Sequence, residues 1–226
     1  MSRISLESKL VTKTNPASPL SEAYRTLRTN ILFSSIDKPV QTIVVTSPNP
    51  GDGKTTTIAN LAVTYAHEGK RTLVVDGDLR KPSLHYMFMK SNRAGLTNAL
   101  FKDNAWQEIV QETDVPGLDL MTSGSVPPNP NEILSSQRMQ ELVAQWREHY
   151  DVILFDSPPL LAVTDGLILS SLSDGVVLVV KSGKTKLGAA RKMLNQLEFA
   201  KAKVLGTVLN NKKSGRASGY LYAYGH

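Results

Sequence analysis

The 226-residue chain predicts an α/β fold, a doubly wound and mostly parallel sheet flanked by helices. Three observations carry that expectation. Six short runs rich in β-branched residues recur at 41–46, 71–76, 118–122, 151–156, 176–181 and 204–209. They are almost continuously apolar, which marks strands buried on both faces. Helical patterns separate them, and strand–helix alternation builds a parallel sheet whose ligands sit at the C-terminal strand ends.

The elements follow in order. Residues 1–17 are polar, lack periodicity and end in Asn15-Pro16, so they are expected to form a flexible N-terminal arm. Ser18 or Ser21 caps a helix running to about residue 34, with Leu20, Tyr24, Leu27 and Ile31 at helical spacing. Further helical patterns cover about 54–68, 105–113, 132–148, 165–172 and 185–200. The segment SVPPNP at 125–130 is a stiff loop before the helix start at Asn131/Glu132. Trp106 and Trp146 lie on amphipathic patterns and read as core residues. A domain over 18–211 is thus followed by a flexible tail, 212–226, KKSGRASGYLYAYGH, which lacks the aliphatic surface to fold alone. Three of the chain's seven tyrosines, Tyr220, Tyr222 and Tyr224, stand in its last seven residues, more than random placement gives.

Composition narrows the classes. No cysteine is present, which excludes a disulfide framework and a thiolate metal site and fits a reducing compartment. The N-terminus has no signal-peptide core, and no apolar run approaches the ~18–20 residues that span a bilayer. The chain is therefore expected in the cytoplasm. His67, His85 and His149 have no metal-ligand spacing. The net charge of +6 permits an acidic partner, a membrane surface or nucleic acid. No basic helix or stacking platform stands out, so nucleic acid is not expected.

The stretch IVVTSPNPGDGKTTTIANL at 43–61 carries the chemistry. An apolar strand runs through a Gly-containing turn into a helix, and backbone N–H groups in such a turn cradle phosphate. Gly51, Asp52, Gly53, Lys54, Thr55 and Thr56 form that cradle. Lys54 reaches terminal phosphates and the Thr55 hydroxyl holds Mg²⁺. The strict P-loop pattern places its first Gly at position 48, which is Pro48 here. At the next strand end, LVVDGDLRKP brings Asp76 and Asp78 to one side of an extended segment. Two such carboxylates repel one another unless cations sit between them. In VILFDSPP, Asp156 follows four apolar residues in the Walker B manner and faces the metal. Asp165 follows in a TDG turn, which reads as helix capping through Thr164 or Asp165. The set predicts phosphoryl transfer from ATP with Mg²⁺, with Thr55, Asp78 and Asp156 at the metal. Asp76 is the choice for taking the acceptor's proton, although spacing does not separate it from Asp78. Asn210, after VLGTVLN, is either an adenine contact or a strand-end turn residue.

The motifs TSPNPGDGKTTT, LVVDGDLRKP, VILFDSPP, SGSVPPNPNEIL and EAYRTLRTN, with a tyrosine-bearing tail, resemble the bacterial tyrosine kinases (BY-kinases). The likeness is to the split, cytoplasmic type of Gram-positive capsule and exopolysaccharide systems and covers about residues 18–226. It implies a P-loop ATPase fold of the MinD/ParA kind that phosphorylates tyrosine. Lys54 and Thr55 fall in its Walker A motif, Asp76 and Asp78 in the second Walker motif, and Asp156 in Walker B. It implies autophosphorylation of Tyr220, Tyr222 and Tyr224 between subunits, and action on other tyrosine-bearing proteins. It implies a ring-shaped homo-oligomer, of octameric size in the family, held partly through Glu22, Arg25 and Arg28. It also implies a membrane-spanning adaptor that activates the kinase and recruits it to the inner face of the plasma membrane. Asp52 departs mildly, since the family often has Glu there. Two other functions share the fold: a ParA/MinD-like positioning ATPase and a nucleotide-gated scaffold. The former usually carries a second lysine where Asn49 stands, and its absence favours the kinase.

Overall fold

The computed structural model describes residues 9–34, 39–101 and 105–212. The strands are β1 (Thr42–Thr46), β2 (Thr72–Asp76), β3 (Gln111–Glu112), β4 (Leu118–Met121), β5 (Val152–Asp156), β6 (Gly175–Lys181) and β7 (Val204–Asn210). They form one seven-stranded sheet in the order β3-β4-β2-β5-β1-β6-β7. Every pairing is parallel except the antiparallel β3–β4 edge. The order reverses at β1, so the loop after β1 opens at the switch point where such sheets bind ligands.

Strand alternation explains the two cores. Ile43 and Val45 of β1 point to one face and pack with Ile58, Leu61, Val74 and Leu154. Val44 points to the other and packs with Leu73, Val75, Ile153, Phe155 and Trp146. The first layer is covered by α1 (Val11–Thr14), α2 (Pro19–Phe33) and α3 (Lys54–His67). The second receives α7 (Gln137–His149), α8 (Asp165–Ser171) and α9 (Leu187–Phe199). Trp106 and Trp146 are both core residues, edge to face at 88° with ring centroids 6.5 Å apart.

Several expectations are corrected. Residues 9–17 are not a loose arm. Leu10 is buried, and Thr12 donates its backbone N–H and its hydroxyl to the Asn60 side-chain oxygen at 3.0 and 2.9 Å. Asn60 in turn donates to the Lys9 carbonyl, so a polar side chain inside α3 ties down a segment with no apolar periodicity. Ser18 does cap α2, accepting from Ser21 N at 3.1 Å. Leu20 is exposed, whereas Tyr24 and Ile31 are buried. The stretch 105–113 is not a helix. A 3-10 turn at Trp106–Glu108 leads into β3, because the free edge of β4 offers backbone partners that a short amphipathic segment takes. The pattern at 132–148 is two helices, α6 (Pro130–Leu134) and α7, broken where Ser136 caps the second. Two short helices were not expected, α4 (Leu84–Met87) and α5 (Leu96–Phe101). The tail tyrosines Tyr220, Tyr222 and Tyr224 lie outside the described residues.

One ionic cluster ties the N-terminal strand ends to α7. Asp174 Oδ2 accepts from the backbone N–H groups of Gln41 and Thr42, and Arg147 pairs with the carboxylate through Nη2 at 2.8 Å. Burial alone raises the Asp174 pKa, but the Arg147, Thr42 and Gln41 hydrogen bonds outweigh it and hold it at about 2. A carboxylate depressed in the folded state stabilises it above the ordinary pKa of 3.8, and that contribution vanishes as pH falls toward 2. Asp174→Asn should cost about 1–2 kcal/mol at neutral pH, a figure reduced for its partial exposure. Denaturant titrations of both proteins should converge near pH 2; a constant gap down to acid pH would refute the assignment.

Candidate active site

The C-terminal ends of β1, β2 and β5 converge on the loop that follows β1. Gly51 and Gly53 take positive φ of 77° and 105°, which winds the loop tightly into α3. Asp52 is buried and accepts from Asn49 N at 3.2 Å, bracing the loop from within. Lys54 opens α3 and is 8% exposed. Its ammonium lies close enough to Asp156 to favour the ionised carboxylate. The Thr55 hydroxyl donates to Asp156 Oδ2 at 2.6 Å and stands 3.1 Å from Ser83 Oγ. Thr56 follows in the first turn of α3.

Asp76 and Asp156 are register partners at the ends of β2 and β5, and both are buried. Asp76 Oδ2 accepts from the backbone N–H groups of Ser83 and Leu84, each at 2.9 Å. Asp76 Oδ1 and Asp156 Oδ1 are buried without a hydrogen-bond partner. Burial raises the Asp76 pKa first, and the neighbouring Asp156 charge raises it further. Burial also raises that of Asp156, opposed by Lys54 and by the Thr55 hydrogen bond. Asp78 lies beyond the strand end, half-buried, and does not share the buried position of Asp76. Its Oδ1 accepts from Arg80 N and Lys81 N, so the segment turns immediately after Asp76 instead of staying extended.

The donors suit a divalent cation. Asp156 Oδ1 is buried and unpartnered, its Oδ2 accepts from the Thr55 hydroxyl, and the Asp76 carboxyl on the adjacent strand adds negative charge nearby; this is the hard-oxygen chemistry that Mg²⁺ takes together with phosphate oxygens. The fit rests on the Asp156 carboxylate and the Thr55 hydroxyl, since among the described residues no three His, Cys, Asp or Glu side chains form a cage.

Asp165 corrects its expected role. Thr164 is the N-cap of α8 without a side-chain cap bond, and Asp165 instead pairs bidentately with Arg80 at 2.7 and 3.1 Å. The Asp165 side chain is fully buried, and the pair ties the Asp78 turn to the segment after β5. Sequence reasoning missed Arg80, Ser83 and Lys181. For Arg80 the signal was the LRKP run directly after the paired aspartates. Asn210 closes the site at the end of β7, donating from Nδ2 to the Asp52 carbonyl at 2.8 Å. Away from the site, Arg25 bonds Glu22 at 2.7 Å and the Pro16 carbonyl, while Arg28 reaches the Thr64 carbonyl on α3 and Glu68 at its C-cap.

A family model described as an AAA domain matches residues 40–211. Tyrosine-protein kinase YwqD of Bacillus subtilis (strain 168) is 46% identical over 217 residues, covering 96% of this chain and 92% of that one. The chain belongs to the bacterial tyrosine kinase family. The crystal structure of the chimerical protein CapA2B2 superimposes with a TM-score of 0.89 at 40% identity, over 92% of this chain and 91% of that one. The kinase domain of Escherichia coli tyrosine kinase ETK gives 0.85 at 30% identity, over 96% and 84%. The septum site-determining protein MinD of Pyrococcus horikoshii OT3, complexed with Mg-ADP, gives 0.66 at 23% identity, over 78% and 72%, and shares the fold alone. The doubly wound P-loop architecture is thereby established for this chain. Among the described residues no helix is long and apolar enough to cross a membrane.

Proposed function

We propose that this BY-kinase transfers the γ-phosphoryl group of ATP to tyrosine hydroxyls, its own tail tyrosines first. The observation that carries the reading is the buried Asp76–Asp156 pair, with two unpartnered oxygens, set against Lys54 and Thr55. Gly51, Asp52, Gly53, Lys54, Thr55 and Thr56 hold the phosphates, and Lys54 neutralises charge on the transferred group. Thr55, Asp78 and Asp156 would hold Mg²⁺, and the ion would supply charge neutralisation for the phosphates. Asn210 keeps one amide hydrogen for the adenine.

The acceptor phenol has a pKa near ~10, so no carboxylate removes its proton beforehand. The phenolic O–P bond forms as the bond to ADP breaks, and the proton passes late to Asp76. Its unpartnered Oδ1 and raised pKa make it a better acceptor than Asp78, whose Oδ1 is already engaged. Products are ADP and phosphotyrosine. Tyr220, Tyr222 and Tyr224 are the acceptors, presented by a neighbouring subunit, and each phosphate adds about −1.5 to −2 charge to a basic chain. The setting is capsule or exopolysaccharide synthesis and export, under a membrane-spanning adaptor that brings the cytoplasmic kinase to the membrane.

Incubation with γ-labelled ATP and Mg²⁺ should yield phosphotyrosine mapped to residues 220–224. The Y220F/Y222F/Y224F variant should lose most of the label while still binding nucleotide; ATP hydrolysis without any labelled tyrosine would favour the positioning-ATPase or scaffold reading. Glu22, Arg25 and Arg28 are proposed to hold a ring of subunits. Arg28 already carries intramolecular bonds to α3, so Arg25, at 36% side-chain exposure, is the freer contact. R25A/R28A should sediment as a monomer, and an unchanged oligomer would remove these residues from the interface.

A further inference from the structure

Two outward carbonyls of the phosphate loop are held from outside by a pair of side chains on neighbouring strands. Lys181 and Asn210 are register partners at the ends of β6 and β7. Lys181 Nζ donates to the Gly51 carbonyl at 3.2 Å, and Asn210 Nδ2 donates to the Asp52 carbonyl at 2.8 Å. These are successive peptide units, and neither is a cis bond. In a trans peptide the C=O and N–H vectors oppose one another, so fixing both carbonyls outward turns the N–H groups of Asp52 and Gly53 toward the inside of the loop. That is the side on which a phosphate is cradled.

We propose that Lys181 is a positioning residue for nucleotide binding: without itself touching the nucleotide, it acts with Asn210 as a two-point clamp that preorganises the phosphate loop. This rests on the phosphoryl-transfer reading above only in so far as the loop binds a nucleotide.

The surroundings suit the role. Asn210 is braced in turn, its Oδ1 accepting from Asn211 N, and the Asn210 carbonyl accepts from Ser182 N. Lys181 N is bonded to Thr185 Oγ1, which fixes the backbone from which the lysine extends. Lys184 and Lys186 share with Lys181 a cavity of ≈ 390 Å³ along the outer face of residues 49–52. Gly53 is required on the opposite count. A Cβ at this position would lie 1.9 Å from Asn210 Nδ2, so the clamp and a glycine at position 53 need one another.

The test is titration of purified full-length protein with a fluorescent ADP analogue and Mg²⁺, for wild type, K181M, K181R, N210A and K181M/N210A. Lys181→Met keeps the aliphatic stem and removes the donor. It should weaken affinity about five- to tenfold, the loss of one hydrogen bond's worth of preorganisation. Lys181→Arg should restore it. The double variant should lose less than the product of the single effects, because both residues hold one loop. The K181M deficit should persist at 0.5 M salt, where a merely electrostatic influence of a remote lysine is screened. Melting temperature without nucleotide should not change, and amide exchange at residues 51–53 should quicken. Wild-type affinity in K181M, or a deficit that disappears at high salt, would overturn the clamp even if tyrosine phosphorylation is intact. Failure of the wild type to bind the analogue would overturn both readings, whereas binding without phosphotyrosine would remove the kinase reading alone.

Discussion

Lys54→Met will lower phosphotyrosine formation by about 10³-fold or more while leaving the fold intact, because removing a preorganised charge from a phosphoryl-transfer site costs on that scale. Two effects act together. The transferred phosphoryl loses the cation that meets its developing charge. Asp156 loses the positive neighbour that offsets part of its burial, so the carboxylate takes up a proton more readily and offers less charge to a cation. The fold should survive, since the lysine is the first residue of α3 and methionine keeps the buried stem. The check is phosphotyrosine blotting after incubation with ATP and Mg²⁺, beside a thermal melt. Near-normal labelling in K54M would show that this loop does not hold the transferred phosphate.

The strands and the site were legible for the same reason. A parallel strand buried on both faces writes itself as a short apolar run, and the residue at its C-terminal end stands out as the first polar group. Asp76 and Asp156 are such residues, and the sheet brings them into register. The Asp78 turn was not legible, because its geometry depends on backbone donors at Arg80 and Lys81 that spacing does not reveal. The Arg80–Asp165 pair joins segments 85 residues apart, so only the folded chain shows that a residue resembling a cap is instead a buried counter-ion. Lys181 escaped for a similar reason, since a lysine ending a strand looks like any solvated one. The N-terminal segment was misjudged because its anchoring is polar. One asparagine in α3 replaces the apolar stripe that periodicity would have detected. β3 is only two residues long, below the length at which alternation carries information.

The same logic makes Asp76→Asn a substitution that stabilises the metal-free protein and disables it. An ionised Asp76 would be fully buried beside Asp156 with Oδ1 unpartnered, so the metal-free site holds the carboxyl's proton up to about pH 8, a cost that a nearby cation relieves. An asparagine keeps an oxygen for the Ser83 and Leu84 N–H groups and can turn its NH₂ toward Asp156 Oδ1. The sign follows from linkage. A carboxyl whose folded pKa is raised retains its proton in the folded state after the unfolded chain has released it. Metal-free wild type therefore loses stability as pH rises above the ordinary value of 3.8 toward neutrality, whereas Asp76→Asn lacks that slope. The two should coincide near pH 4, and the variant should lead by about 1–3 kcal/mol at pH 8, the scale of relieving one buried, unpaired charge. Mg²⁺ with ADP should reverse the order, because only wild type has the Asp76 charge that a cation at the site compensates, so binding stabilises it more than the variant. Phosphotransfer should fall by about 10²-fold or more, as proton acceptance and charge at the metal are lost together. Melting curves across pH 4–8, with and without Mg²⁺ and ADP, read all of these. A metal-free variant that melts below wild type at pH 8 would mean that Asp76 is held by partners other than the nucleotide's cation, and that the paired strand-end carboxylates are a structural feature.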